Sequence, residues 1–162
     1  MTGQPIFDVA AGLASLAGLV FSVMAWWNAK SAAEAARDAR QEVRKGNAGE
    51  ELRDLNERAK ELLRAAQRDQ LAEALVTAAT LLGPLVQAGH RWKKFFGDEG
   101  TNRIKQASKK VEKVSVALSA GPPALTPADR EKVIEFCHDV VTILAEESGK
   151  MLVLLEQEKK NG

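Results

Sequence analysis

The stretch Val9–Trp27, VAAGLASLAGLVFSVMAWW, decides how the rest of the chain is read. Its nineteen residues carry no charge. As a helix rising about 1.5 Å per residue it spans roughly 28 Å, close to the hydrocarbon thickness of a bilayer. Its polar side chains, Ser15 and Ser22, can bond back to the helix backbone. Trp26 and Trp27 close it, where amphipathic rings favour the headgroup level, and Asp8 stands at the other edge. A cleaved signal peptide would open on a basic region, and none is present, although Val23-Met24-Ala25 has the form of a weak cleavage site. A core helix of a soluble domain seldom runs this far without a charge. The segment therefore reads as a single transmembrane helix.

Its flanks orient it. No Lys or Arg precedes the segment, whereas Lys30, Arg37, Arg40, Arg44 and Lys45 follow it. Positive charge stays on the cytoplasmic side, so the N-terminus is expected outside a plasma (inner) membrane and residues 28–162 inside. Ala10, Ala14, Gly18 and Ser22 recur every four residues. Small residues at that spacing let two helices approach closely in lipid, which predicts a homo-oligomer, although Ala and Gly are common in spans anyway. The expected organisation is an anchor over 1–28, a helical stalk over 29–46 and a cytoplasmic bundle over 47–162.

The stalk, Lys30 to Lys45, interleaves Ala with charges, and Ala32, Ala36, Ala39 and Val43 form a thin apolar seam suited to a coiled-coil contact. Gly46-Asn47-Ala48-Gly49 is expected to break this helix, with Asn47 and Glu50 forming a capping box for the next and a hinge between the two pieces. Leu52, Leu55, Ala59, Leu62 and Ala66 then follow a three-four pattern. Leu71, Leu75, Ala78, Leu82, Leu85, Gly89, Trp92 and Phe96 continue it, with a kink expected at Pro84. Ala74 to Gly89 is also uncharged, but it is short and basic residues flank both ends, so it reads as a core helix rather than a second span.

Thr101 to Leu118 forms a clean stripe of Ile104, Ala107, Val111, Val114 and Leu118. Ser119 to Leu125 is a loop around Gly121-Pro122-Pro123. Thr126 caps the last helix, Pro127 takes its first position and Asp129 favours its dipole. Val133, Cys137, Val140, Leu144, Met151 and Leu154 mark its buried side, widened by Val153 and Leu155, and Gly149 is a place for a bend. Nothing alternates with a period of two, so the fold class is all-α: a transmembrane helix followed by an antiparallel bundle of three or four helices.

Composition supplies little chemistry. One cysteine cannot make an internal disulfide, and Cys137 beside His138 is not a dyad, because helical neighbours point about 100° apart. No metal-ligand spacing and no phosphate-binding loop is present, so no catalytic residue, metal or cofactor is expected, and an enzyme is not.

Net charge is +1, but residues 91–113 carry eight Lys/Arg against three acids, while residues 126–162 carry five against eight. Arg91, Lys93, Lys94, Arg103, Lys105, Lys109, Lys110 and Lys113, beside Trp92, Phe95 and Phe96, suit anionic lipid of the inner leaflet, or a soluble anion. They could equally face the acidic last helix. The leading expectation is a membrane-tethered, self-associating helical module that meets a protein partner or senses a ligand. It is compact in a bacterial manner. The second is a triggered membrane effector that assembles through its N-terminal helix and disrupts the bilayer.

Overall fold

The computed structural model describes the backbone of residues 4–121 and 125–161, and the side chains of residues 21–121, 125–157 and 160. Four helices fill it: α1 (Gln4–Gln67), α2 (Leu71–Arg91), α3 (Lys93–Ser119) and α4 (Pro127–Asn161). Among the described residues there is no strand. The chain divides into two compact units, Met1–Val43 and Arg44–Gly162.

The first unit is the beginning of α1. Its helix covers the apolar stretch from Gln4 onward, but Ala10, Ala14 and Gly18 lie outside the residues whose side chains are described. From Phe21 to Val43 every side chain is exposed, Trp26 and Trp27 at 61% and 69%. Lys30 Nζ stands 5.6 Å over the Trp26 ring, a cation–π contact.

The second unit is a helical bundle. Ala48, Leu52, Leu55, Ala59, Leu62 and Ala66 form the buried edge of α1. The break expected over Gly46–Gly49 does not occur, and Asn47 caps nothing: α1 runs straight through. Tertiary packing outweighs local propensity here, because Ala48 and Leu52 are both fully buried and a helix is what places them on one face. Neither glycine is there to admit a neighbour, since a Cβ on Gly46 or Gly49 would meet nothing within 4 Å.

Helix α1 ends where no glycine or proline announces it. Asp69 takes a left-handed conformation (φ 59°), the Gln70 N–H donates to the Ala65 carbonyl (2.9 Å) and the Asp69 N–H to that of Ala66 (3.2 Å). This is the Schellman closure with Asp at the position glycine usually holds. Arg130 at the start of α4 donates to both Asp69 carboxylate oxygens, at 2.8 and 2.9 Å.

In α2 the buried line is Ala74, Ala78, Leu81, Leu85 and Ala88, one step round from the expected stripe, with Leu71, Leu75 and Leu82 half-buried at its flank. Pro84 does not interrupt the helix. Thr80, whose carbonyl the proline leaves without its usual N–H, lies on the exposed side. Among the described residues α2 is long and apolar enough to cross a membrane by length and composition.

Helix α3 starts earlier than expected, directly after Trp92, and is interrupted at Gly97 (φ 65°, ψ −173°). The regular helix follows, with Ile104, Ala107, Val111, Val114 and Leu118 buried as its spacing predicts. Helix α4 is capped as expected. The Thr126 hydroxyl accepts from the Asp129 N–H (3.2 Å), and Asp129 accepts from the Thr126 N–H (3.3 Å) and hydroxyl (2.6 Å). Those bonds from Thr126 hold the Asp129 carboxyl below its ordinary range. Val133, Cys137, Val140, Leu144 and Met151 are buried, but Val153 and Leu154 are exposed, and Leu155 is half-buried.

If α1 is continuous through its glycines, Gly46→Ala and Gly49→Ala should each raise stability by about 0.5–1 kcal/mol, by removing backbone freedom from the unfolded chain. Thermal unfolding followed by far-UV circular dichroism checks this. A lower midpoint would mean that these positions leave the helix.

Candidate functional site

The eight basic residues singled out in the sequence do not form one patch. The bundle sorts them by neighbour. Arg91 donates to Glu51 of α1 (3.1 Å), and the Trp92 indole N–H donates to the same carboxylate at 2.7 Å. The pair of bonds pins the α2–α3 junction to α1. Trp92 is thereby buried, with Phe95 tilted against it at a centroid distance of 5.9 Å.

Arg103, Lys110 and Lys113 face α4. Arg103 bonds Glu146 and lies 3.4 Å from Glu147, whose side chain is 3% exposed. Contact with Glu146 raises the Arg103 guanidinium above its ordinary value, against a smaller opposing effect of burial. Lys150 bonds Glu147 from one turn on, at 2.8 Å. Lys110 pairs with Asp139, and the ammonium groups of Lys110 and Lys113 sit 5.1 and 5.5 Å from the Phe136 ring centre. These cations are structural: they offset the acids of α4 and join it to α3.

Lys93, Lys105 and Lys109 are different. They line a groove of about 420 Å³ between α2 and α3, together with His90. Its apolar lining is Leu85, Val86, Gly89 and Ile104, and its polar lining includes Thr101, Asn102 and the buried Ser108. No acid lines it. Lys93 has a distant contact with Asp98 (3.9 Å, both exposed), worth little in water. Among the described residues neither Lys105 nor Lys109 meets a carboxylate. Lys94 is exposed and lies outside the groove.

The groove exists because α2 and α3 approach closely. Gly89 sits against Ile104, where a Cβ would come within 3.2 Å of Cγ2. Two lining hydroxyls spend their protons on their own helix: Thr101 Oγ1 donates to the Gly97 carbonyl (2.6 Å) and Ser108 Oγ to that of Lys105 (2.9 Å). Asn102 and the cations remain as donors. Sequence spacing could not reveal this groove, because it depends on which face of α3 meets α2 and which meets α4.

Cys137 and His138 do not act together. Cys137 is fully buried and His138 exposed. Burial pushes the Cys137 thiol up to about 12. The nucleophilic thiolate is therefore scarce at neutral pH. Among the described residues no group of His, Cys, Asp and Glu is arranged to hold a metal ion. Of the expected interface residues in the first unit, Ser22, Trp26 and Trp27 are exposed on α1. No family model matches the chain, and no curated protein or solved structure is similar to it.

Two measurements separate structural from surface cations and test the thiol. Arg103→Met should cost about 1–3 kcal/mol by leaving Glu147 short of a partner, whereas Lys105→Met with Lys109→Met should stay within about 0.5 kcal/mol per site. Chemical denaturation reads both. Iodoacetamide at pH 8 should leave Cys137 of the native chain unlabelled and label the denatured chain. The folded thiol lies near 12 and an ordinary one near 9.0, so this contribution to stability holds below about pH 9 and is lost as pH rises toward 12.

Proposed function

We propose that the protein is a membrane-tethered helical sensing module, in which α1 supplies the tether and the groove between α2 and α3 receives an anionic ligand. The observation that carries this reading is the groove itself: Lys93, Lys105 and Lys109 converge on one cavity that no acid lines, while their neighbours in sequence are taken up by Glu51, Glu146 and Asp139. Lys105 and Lys109, which meet no carboxylate among the described residues, raise the local potential and favour an incoming anion.

The tether is supported by α1. Phe21, Val23, Met24, Trp26 and Trp27 are all exposed on consecutive turns. A helix apolar all round belongs in a bilayer or a core, and paired tryptophans at its end suit the interface. The charge step from no Lys or Arg before residue 9 to Lys30, Arg37, Arg40, Arg44 and Lys45 after it supports an N-terminus outside and residues 28–162 inside a plasma membrane. Self-association follows from the small residues Ala10, Ala14, Gly18 and Ser22. A groove lined by cations suits recognition of an anion.

Produced in bacteria, the full chain should partition to the membrane fraction and resist an alkaline wash, whereas a version lacking residues 1–28 should be washed free. A membrane-potential dye should report an unchanged potential. Recovery of the full chain in the soluble fraction would refute the tether. Depolarisation by the full chain alone, abolished by Gly18→Ile, would replace the sensing module with a bilayer-disrupting effector.

A further inference from the structure

The groove's size and wall chemistry narrow its ligand. At about 420 Å³ it falls in the range of small-molecule sites, roughly 300–1,000 Å³, and is far larger than a lone oxyanion requires. Its lining is partly apolar: Leu85 and Ile104 are buried beneath it and Val86 is exposed at its edge. An inorganic anion would leave Val86 facing water. No Phe or Trp lines the groove, and the His90 imidazole is the one ring among its lining residues, a poor platform for a nucleobase beside the aliphatic side chains. Aliphatic walls suit an aliphatic skeleton.

The charged side is equally particular. Lys105 and Lys109 are one helical turn apart on the same face of α3. Like charges at that spacing destabilise a helix, and a dianion between them reverses the sign of the interaction. Lys93 reaches the groove from the other side of the Gly97 interruption, and the Asn102 amide adds an uncharged donor.

We infer that the α2–α3 groove binds an organic phosphate with an aliphatic skeleton, its phosphate held between Lys105 and Lys109 and its skeleton lying on Val86 and the open backbone at Gly89. This rests on the reading of the groove as an anion site. The same chemistry is offered by a soluble phosphate ester and by a phospholipid with a terminal phosphate. Gly89 lines the groove beside Ile104, so a side chain added there would take up space at its apolar wall.

The test uses the full chain in an uncharged detergent at low salt, titrated by calorimetry with inorganic phosphate, monobutyl phosphate and butanol. Monobutyl phosphate should bind about tenfold or more tightly than inorganic phosphate, as partial burial of a short alkyl chain implies, and butanol should not bind. Lys105→Gln with Lys109→Gln should abolish binding with the circular dichroism spectrum unchanged, while Lys132→Gln on α4 should have no effect. Gly89→Val should erase the advantage of the butyl group and keep inorganic phosphate binding. In nanodiscs of phosphatidylcholine, loss of monobutyl phosphate binding on adding phosphatidic acid assigns the phosphate to lipid, and its persistence assigns it to a soluble ester. Equal affinity for inorganic and monobutyl phosphate would overturn the inference and leave the anion site standing. Failure of both to bind would overturn both.

Discussion

The carboxylate of Glu147 is the constraint on which the second unit depends. Its side chain is almost wholly withdrawn from water, which for an ion costs several kcal/mol unless partners replace the lost hydration. Arg103 reaches it from α3 and Lys150 from its own helix. The approach also dictates the residue opposite. At Gly100 a Cβ would stand 2.8 Å from Glu147 Oε2 and 2.9 Å from the Phe96 Cβ, so any side chain there would collide with both. The absence of a side chain at residue 100 thus leaves room for the Glu147 carboxylate. Once α4 is seated on this part of α3, the chain before it must turn away, and Gly97 with its positive φ supplies the turn. Trp92 closes the same end by bonding to Glu51 of α1.

This seam divides the labour among the cations of α3. The helix has two polar edges. One edge carries Arg103, Lys110 and Lys113 toward Glu146, Glu147, Asp139 and the Phe136 ring, where charge is offset and the lysine stems cover apolar surface. The other edge carries Lys105 and Lys109 toward α2, which brings no acid to meet them. The basic excess seen between residues 91 and 113 is therefore two features laid over each other in sequence: a set of internal ties, and Lys105 and Lys109, which meet no carboxylate among the described residues.

How much of this was legible in the sequence depends on whether the deciding interaction was local. The N-terminus of α4 was, because Thr126, Pro127 and Asp129 settle it among themselves. The buried stripes of α1 and α3 were, because helical spacing alone puts Leu52, Leu55 and Ala59, or Ile104, Val111 and Val114, on one face. The run Gly46–Gly49 was misread for the converse reason. Its local preference is to break, and burial of Ala48 and Leu52 overrides it. The end of α1 carries no glycine, because Asp69 both adopts the left-handed conformation and serves as the partner of Arg130. Leu154 was misplaced because a heptad count continues whether or not a partner helix is still alongside. The groove was beyond reach, since nothing local tells which edge of α3 finds an acid.

Two apolar helices, finally, differ in what accounts for their composition. Helix α2 is apolar and long enough to span a bilayer, yet Ala74, Ala78, Leu81, Leu85 and Ala88 are packed inside the bundle. Its small residues also have a use there, since alanines at the contact and Gly89 against Ile104 let α3 come close enough to form the groove. The bundle thus accounts for the buried line of α2, while Val76 and Val86 stay exposed. Phe21, Val23, Met24, Trp26 and Trp27 of α1 are each more than half exposed. Exposing so many large apolar side chains on one helix carries a continuing cost in water that a surrounding hydrocarbon removes.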